Sequence, residues 1–383
     1  MDFYDNHQMN MEQTIHPKRV IISGGGTGGH IFPAISIADT LRKRYPDIKI
    51  LFVGAEGRME MQRVPAAGYE IVGLPVEGFH RKQIWRNVSV LRKFARALVM
   101  ARALVRSFAP DVVIGVGGYA SAPTLKAAQS LGVPTLIQEQ NSYAGVSNKL
   151  LARRANRICV AYPDMERFFR KDKIALTGNP IRPQIEFLTA TRAEALAYFG
   201  FPKDVGEVVL IVGGSLGART INESIASSLK LWASSGAALI WQTGRLYQEQ
   251  ARLALVDYPG RYYCSAFIDR MDYAYLLADV VISRAGACSI SELCLLGKPS
   301  ILVPSPNVAE DHQTKNALAL SSRGAAILIP DAEAVERLSS VALELLADKT
   351  RRESLQVEIL GLSEPRAAER IVDEVEQLCR KEL

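Results

Sequence analysis

Residues 23–30 read Ser-Gly-Gly-Gly-Thr-Gly-Gly-His, five glycines in six positions followed by one imidazole. The stretch follows Arg19–Ile22, a β-branched run predicted to be a buried parallel strand, and precedes Ile31–Leu41, an apolar-periodic segment predicted to be a helix. Pro33 fits such a helix only in its first turn. A strand, a bare turn and a helix N-terminus aim backbone N–H groups and a positive dipole end at one point. That arrangement suits an anion, phosphate above all, with His30 as a titratable group beside it. Gly24, Gly26 and Gly29 also satisfy the G-x-G-x-x-G dinucleotide pattern, a weak signal by itself. No Gly-Lys-[Ser/Thr] closes the loop, so a P-loop is excluded.

The same design returns later in the chain. Val208–Val212 runs into Gly213-Gly-Ser-Leu-Gly217, again strand, glycine turn and helix, which suggests two similar α/β domains facing each other. Other strand candidates are Ile48–Val53, Tyr69–Leu74, Asp111–Val116, Pro134–Gln138, Ala238–Gln242, Tyr262–Phe267, Asp279–Ser283 and Lys298–Pro304, alternating with helical segments. Such alternation predicts doubly wound parallel sheets, whose ligands gather beyond the carboxyl ends of the strands. Gly117–Gly118, Glu139–Asn141, Arg284–Glu292 and Glu310–Gln313 fall at such ends. Gly178-Asn-Pro-Ile-Arg-Pro183, with two prolines fixing extended backbone, reads as the domain boundary. The last segment, Arg366–Glu382, reads as an amphipathic packing helix.

At 383 residues two domains are expected. Five cysteines at 159, 264, 288, 294 and 379 show no metal-ligand spacing and suit a reducing compartment. Residues 1–18 are polar and acid-bearing, unlike a signal peptide, and no apolar run reaches transmembrane length. Charge is divided unevenly: residues 1–182 hold 26 Lys/Arg against 14 Asp/Glu (+12), the remainder 20 against 26 (−6). Between Gly78 and Phe108 stand eight cations and no acid, with Phe79, Ile84 and Trp85 among Arg81, Lys82 and Arg86. One reading is a solvated face on a core helix whose buried stripe is Leu91, Ala95, Leu98 and Ala101/Leu104. The other is a surface for anionic lipid headgroups, with Arg81, Lys82, Ile84, Trp85 and Arg86 as membrane contacts. No nucleic-acid motif accompanies the run.

Gly-Gly-Thr-Gly-Gly-His-Ile-Phe-Pro (25–33), Gly-Val-Gly-Gly-Tyr (115–119), Glu-Gln-Asn (139–141), Gly-Asn-Pro-Ile-Arg (178–182) and Gly-Gly-Ser-Leu-Gly-Ala (213–218) stand in that order. Phe-Ile-Asp-Arg-Met (267–271), Ser-Arg-Ala-Gly-Ala-Cys-Ser-Ile-Ser-Glu (283–292) and Asp-His-Gln (311–313) follow. With these motifs the chain, from about residue 18 to 375, closely resembles the MurG family of glycosyltransferases. The resemblance implies a GT-B fold, two Rossmann-like domains facing across a cleft. It divides the chain into an extra segment 1–17, an acceptor and membrane domain 18–180, a UDP-GlcNAc domain 181–362 and a helix 363–383 packing back on the first domain. It implies inverting transfer of GlcNAc from UDP-GlcNAc to the C4 hydroxyl of MurNAc in undecaprenyl-pyrophosphoryl-MurNAc-pentapeptide (lipid I), giving lipid II for peptidoglycan. The expected location is peripheral, on the cytoplasmic face of the bacterial inner membrane, with no nucleic-acid partner and no cofactor.

Carried over by position, Thr27, Gly28, Gly29, Asn141, Arg182, Ser215, Ile268, Ala287, Cys288, Ser289, Ile290, Ser291, Glu292 and Gln313 are expected to line the donor site. Glu292, one turn into a helix, can accept both ribose hydroxyls; Ser215 and Gly213–Gly214 offer donors to a diphosphate. Ile268 would offer backbone groups to uracil, and Gln313 would bond sugar hydroxyls. His30 is the favoured base because its unperturbed pKa lies near neutrality, with a purely orienting role as the alternative. Glu139 is the second candidate, as base or as partner of His30. Gln138 departs from the family, where many relatives carry His, which weighs against a proton relay there. No Asp-x-Asp stands where a sugar nucleotide would bind, and Asp331-Ala-Glu333 reads as an isolated helix start, so no metal ligand is assigned. Leaving-group charge would be met by N–H groups, a helix N-terminus and Arg182. Competing readings are an NAD dehydrogenase using Glu56, a membrane-surface scaffold that keeps a nucleotide fold without turnover and, within the same fold, a glycolipid glycosyltransferase or a UDP-GlcNAc epimerase.

Overall fold

The computed structural model describes residues 16–78, 87–214, 217–308 and 311–380. Two parallel sheets organise them. The first holds β1 (Arg19–Ser23), β2 (Lys49–Ala55), β3 (Glu70–Leu74), β4 (Val112–Gly115), β5 (Thr135–Glu139), β6 (Arg157–Val160) and β7 (Ile174–Leu176), in spatial order 3-2-1-4-5-6-7. The second holds β8 (Val208–Val212), β9 (Ala238–Gln242), β10 (Tyr262–Ser265), β11 (Val280–Ser283), β12 (Ser300–Leu302) and β13 (Ile327–Leu328), in order 10-9-8-11-12-13. This is the GT-B architecture, two doubly wound domains. In each sheet the order reverses beside the strand that feeds a glycine turn, between β1 and β4 and between β8 and β11.

The central strands are apolar throughout because helices cover both faces. Side chains alternate across the first sheet. Val20 and Ile22 pack on one face with Ile371, Val372 and Val375 of the last helix (Ala367–Arg380), and Ile21 packs on the other with Ala97, Ala101 and Val105. The described residues thus cross between domains twice, near Gly178–Arg182 and again near Gly361–Arg366, and the helix Ala367–Arg380 packs on the first sheet. Arg44 bonds Asp373 and Glu376, and Arg157 forks onto Glu374 at 2.6 and 2.9 Å, fixing that last helix to the first domain.

Two sequence expectations are corrected. On the helix Asn87–Phe108 the buried stripe is Val90, Ala97, Ala101 and Val105, with Leu98 and Leu104 packed beside it, so of the expected stripe Ala101, Leu98 and Leu104 face the core while Leu91 and Ala95 face outward. Its small residues meet Ala127 and Ala128 of the helix Ser121–Ser130, and Leu91 is 57% exposed. Asp331 is not isolated either: it pairs with the Arg284 guanidinium and accepts from the Thr220 hydroxyl.

Candidate active site

The first glycine turn is held from beneath by a carboxylate. Glu60, buried, accepts the N–H of Ala55 and of Gly26, each at 2.9 Å. Gly25 has φ +150°, and a Cβ there would lie 2.2 Å from Glu60 Oε1. A Cβ on Gly118, at φ +87°, would lie 2.3 Å from the Gly25 carbonyl oxygen. The two loops therefore interlock through glycines, and this close approach builds one surface beyond β1 and β4. The helix Gly28–Arg44 begins there with Thr27 as N-cap, but the Thr27 hydroxyl does not cap it. It lies 3.3 Å from His30 Nδ1 instead. Thr27 and Gly29 are exposed and Gly28 partly so.

The other edge of the His30 imidazole lies against Gly117, where an added Cβ would come 2.8 Å from Nε2. Burial and the neighbouring His312 push the His30 pKa from 6.5 down to about 4, against the backbone bond with Gly25 and the charge of Glu60. The ring is neutral at physiological pH, the state in which it can take a proton.

Across the interface the helix Ala287–Leu295 starts at Gly286 with no side-chain cap. Ala287, Cys288 and Ser289 stand partly exposed at this terminus, and the Cys288 thiol donates to the Gly29 carbonyl of the first domain at 3.5 Å. Burial, then Glu292, pushes that thiol up to about 12, so it stays protonated. Ile290 is buried in the core, and Ser291 accepts from the Asn179 amide at 3.1 Å. Glu292 is buried, and its carboxylate is already engaged. Oε1 accepts from Arg182 Nε and Nη2 at 3.0 and 2.9 Å, and Oε2 from Arg182 Nη2 and the Tyr275 hydroxyl at 3.1 and 3.0 Å. Three donor groups therefore engage both oxygens of the carboxylate. A ribose can reach it only by displacing Arg182 or Tyr275, and Arg182 freed in this way is a guanidinium available to a diphosphate.

Glu139 is enclosed by its own loop. It is buried, Oε1 accepts from the Asn141 N–H and amide, and Oε2 from the Gly145 N–H and the Asn148 amide. Burial raises its pKa while those four donors oppose the rise. Those four donors tie it to the 141–148 loop, and a role as base would require it to give up some of them. Asn141 is brought to the domain interface, where its Oδ1 accepts from Asn316 at 3.2 Å. Gln313 bonds the Ser305 N–H at 2.9 Å, and the Ile268 N–H donates to Gln242 at 3.0 Å. Ser215 and the membrane candidates Arg81, Lys82, Ile84, Trp85 and Arg86 lie outside the described residues.

Asn316 was not singled out from sequence. Fully buried, it accepts the Ser142 N–H and hydroxyl at 3.0 Å each and donates to Asn141 and to the Ala285 carbonyl. One amide thus ties the second domain to the loop that Glu139 holds in the first. Its signal was spacing: it sits three residues after Gln313, on the same helix face. Gln138, Gln140 and Asn179 form a buried amide chain that ends on Ser291.

Residues 20–160 match the glycosyltransferase family 28 N-terminal domain, and residues 208–371 the glycosyltransferase family 28 C-terminal domain. A Porphyromonas gingivalis W83 protein named UDP-N-acetylglucosamine–N-acetylmuramyl-(pentapeptide) pyrophosphoryl-undecaprenol N-acetylglucosamine transferase is 63% identical over 375 residues, 98% of this chain and 99% of the relative. A Bacteroides fragilis protein of the same name is 54% identical over 380 residues, 98% of this chain and 100% of the relative. The chain belongs to the MurG family within glycosyltransferase family 28. The crystal structure of Acinetobacter baumannii MurG superposes with a TM-score of 0.73 at 27% identity, over 94% of this chain and 100% of that one. A UDP-N-acetylglucosamine 2-epimerase shares the fold alone, at TM-score 0.64 and 15% identity. Membership in the MurG family accounts for both glycine turns and for the 283–292 helix start, which a dehydrogenase reading leaves idle.

Proposed function

We infer that this protein is an inverting glycosyltransferase moving N-acetylglucosamine from UDP-GlcNAc to the C4 hydroxyl of MurNAc in the undecaprenyl-pyrophosphoryl-MurNAc-pentapeptide acceptor, giving lipid II. The observation that carries the reading is the meeting of the uncapped 287–295 helix with the first glycine turn at Cys288–Gly29, in a chain so close to transferases of that name. The second domain holds the nucleotide. Ala287–Ser289 N–H groups and the helix dipole face the diphosphate, joined by Ser215 and by Arg182 once it leaves Glu292. Glu292 then takes the ribose, Ile268 the uracil, and Asn141 and Gln313 the sugar.

The acceptor C4 oxygen attacks the anomeric carbon from the face opposite the leaving group. The C1–O bond to UDP breaks, its electron pair stays on the diphosphate, and the hydroxyl proton passes to neutral His30. Anion binding at Thr27–Gly29 raises the His30 pKa from its low resting value, making it a stronger base when substrate is present. A transfer assay with labelled UDP-GlcNAc and a short-chain lipid I analogue, beside UDP-glucose, tests the reading; absence of labelled disaccharide product would overturn it.

Association with an anionic membrane surface, at the cytoplasmic leaflet where the acceptor is anchored, completes the reading. No described helix is long and apolar enough to cross a membrane. On the helix Asn87–Phe108, however, Val88, Leu91, Arg92, Ala95, Val99, Arg102 and Arg106 are all exposed and recur at helical spacing opposite the buried stripe. Val99 is 71% exposed. Apolar side chains interleaved with cations on one face suit an interfacial helix.

A further inference from the structure

Two partners grip the Glu292 carboxylate, and they differ in freedom. Arg182 stands on the first crossing with its backbone anchored, its carbonyl accepting from the Ile185 and Glu186 N–H groups. Its side chain is 27% exposed, and the guanidinium also lies 5.8 Å from the ring centroid of Phe32 in the first domain. A long side chain with a choice of rotamers can leave Glu292 without disturbing any element.

Tyr275 lacks that freedom. It stands on the helix Met271–Leu277, is 2% exposed, and belongs to the second-domain core with Leu196, Ile268 and Leu293. Swinging its ring away would need space that a close-packed core does not provide. Burial first, then the Glu292 charge, holds its phenol well above the ordinary range, so the hydroxyl remains a donor. The two partners also divide the oxygens. Oε1 takes both of its bonds from Arg182, at 3.0 and 2.9 Å, whereas Oε2 shares Arg182 with the Tyr275 hydroxyl at 3.0 Å. Departure of Arg182 therefore bares Oε1 and leaves Oε2 bonded. A buried carboxylate stripped of every donor is costly, and the fixed phenol prevents that state.

We propose that Tyr275 is a positioning residue for nucleotide recognition, holding Oε2 so that the Glu292 carboxylate stays in place when Arg182 leaves and presents Oε1 to the ribose hydroxyls. This assignment, which rests on Glu292 taking the ribose, divides the work. The phenol orients the acceptor of the sugar hydroxyls, and the guanidinium moves to the diphosphate. Preference for ribose then depends on Tyr275, while affinity for the diphosphate depends on Arg182.

The test compares, by calorimetry on the full chain, UDP with 2′,3′-dideoxyuridine 5′-diphosphate, which lacks both ribose hydroxyls. The ratio of the two affinities reports the ribose contacts alone. The parent should prefer UDP by about tenfold or more, as hydrogen bonds to a charged acceptor imply. Tyr275→Phe, which removes only the hydroxyl, should weaken UDP about tenfold and the dideoxy ligand less than about twofold, abolishing the preference. Arg182→Gln should weaken both ligands alike and keep the preference. Melting curves check folding. If Tyr275→Phe does not fold, Arg182→Gln decides, because a preference lost there would make the guanidinium the holder of the carboxylate and overturn the proposal. Glu292→Gln separates the two layers. A parental preference in that variant, or none in the parent, would overturn the ribose reading and the role of Tyr275 with it. A preference lost in Glu292→Gln but kept in Tyr275→Phe would overturn the positioning role alone, as would equal weakening of both ligands in Tyr275→Phe.

Discussion

The titration of His30 follows directly from its surroundings. Its pKa falls from 6.5 to about 4, chiefly through burial and then through His312. A fall of that size, at ~1.36 kcal/mol per unit, corresponds to roughly 3 kcal/mol between protonation states. The unfolded imidazole takes a proton as pH drops through 6.5, whereas the folded one does not until about 4. Within that window the unfolded chain binds more protons, so stability rises with pH up to about 6.5 and is unaffected by this group above it. Acidification from pH 7 to 4.5 should cost about 2 kcal/mol through His30, trimmed because the ring keeps some solvent contact. His30→Asn removes that component. Urea unfolding of parent and variant at several pH values between 4.5 and 7.5 measures it, and the parent should lose ground to the variant on the acid side. NMR titration of the ring gives the same quantity directly, and UDP or the acceptor diphosphate should move it upward. In turnover, His30→Ala should lower kcat by ~10²–10⁴ with UDP-GlcNAc still bound. A free-enzyme pKa at or above 6.5, or a parent–variant difference that ignores pH, would refute the reasoning.

The partner exchange at Glu292 predicts that Glu292→Gln lowers UDP affinity by about tenfold or more, since a charged acceptor is lost; unchanged affinity by calorimetry would leave Glu292 as a partner of Arg182 alone. Asn316→Ala removes four hydrogen bonds, at ~0.5–1.5 kcal/mol each, and three of them join the domains. The expected result is a raised UDP-GlcNAc KM and faster proteolysis at the crossings, and a variant indistinguishable from parent in both would show that the latch does not matter. Sedimentation with anionic vesicles at low salt, released at high salt, should weaken in a Trp85→Ala, Arg81→Glu, Arg86→Glu variant and also in Val99→Asp, each cation contributing ~1 kcal/mol near such a surface.

What the sequence made legible was whatever is local. Both glycine turns, the central strands and the 287–295 helix declare themselves within ten or so residues, because strand, turn and helix signals are written side by side there. Strands β6, β7 and β13, at two to four residues, were not anticipated, although β4 and β12 are as short. The face of the helix Asn87–Phe108 differs from the expected one for a clear reason. Leucine, valine and alanine surround it, so only the alanines of its neighbour reveal which side is covered. The site failed to be legible where carboxylates are concerned. Glu139 and Glu292 look equally available in the sequence, yet one is closed by a loop six to nine residues ahead and the other by Arg182, 110 residues away. A carboxylate's role is set by the donors that reach it, and donors supplied by tertiary folding leave no mark beside it. The two closures differ in kind. Glu139 is held by backbone and amide groups of its own loop, which move only if the loop rearranges. Glu292 is held by a guanidinium and a phenol on separate elements, and the guanidinium can turn away without any element unfolding. On the proposed function, a carboxylate that a sugar nucleotide can reclaim must be of the second kind, and its cation would then be released where diphosphate charge has to be met.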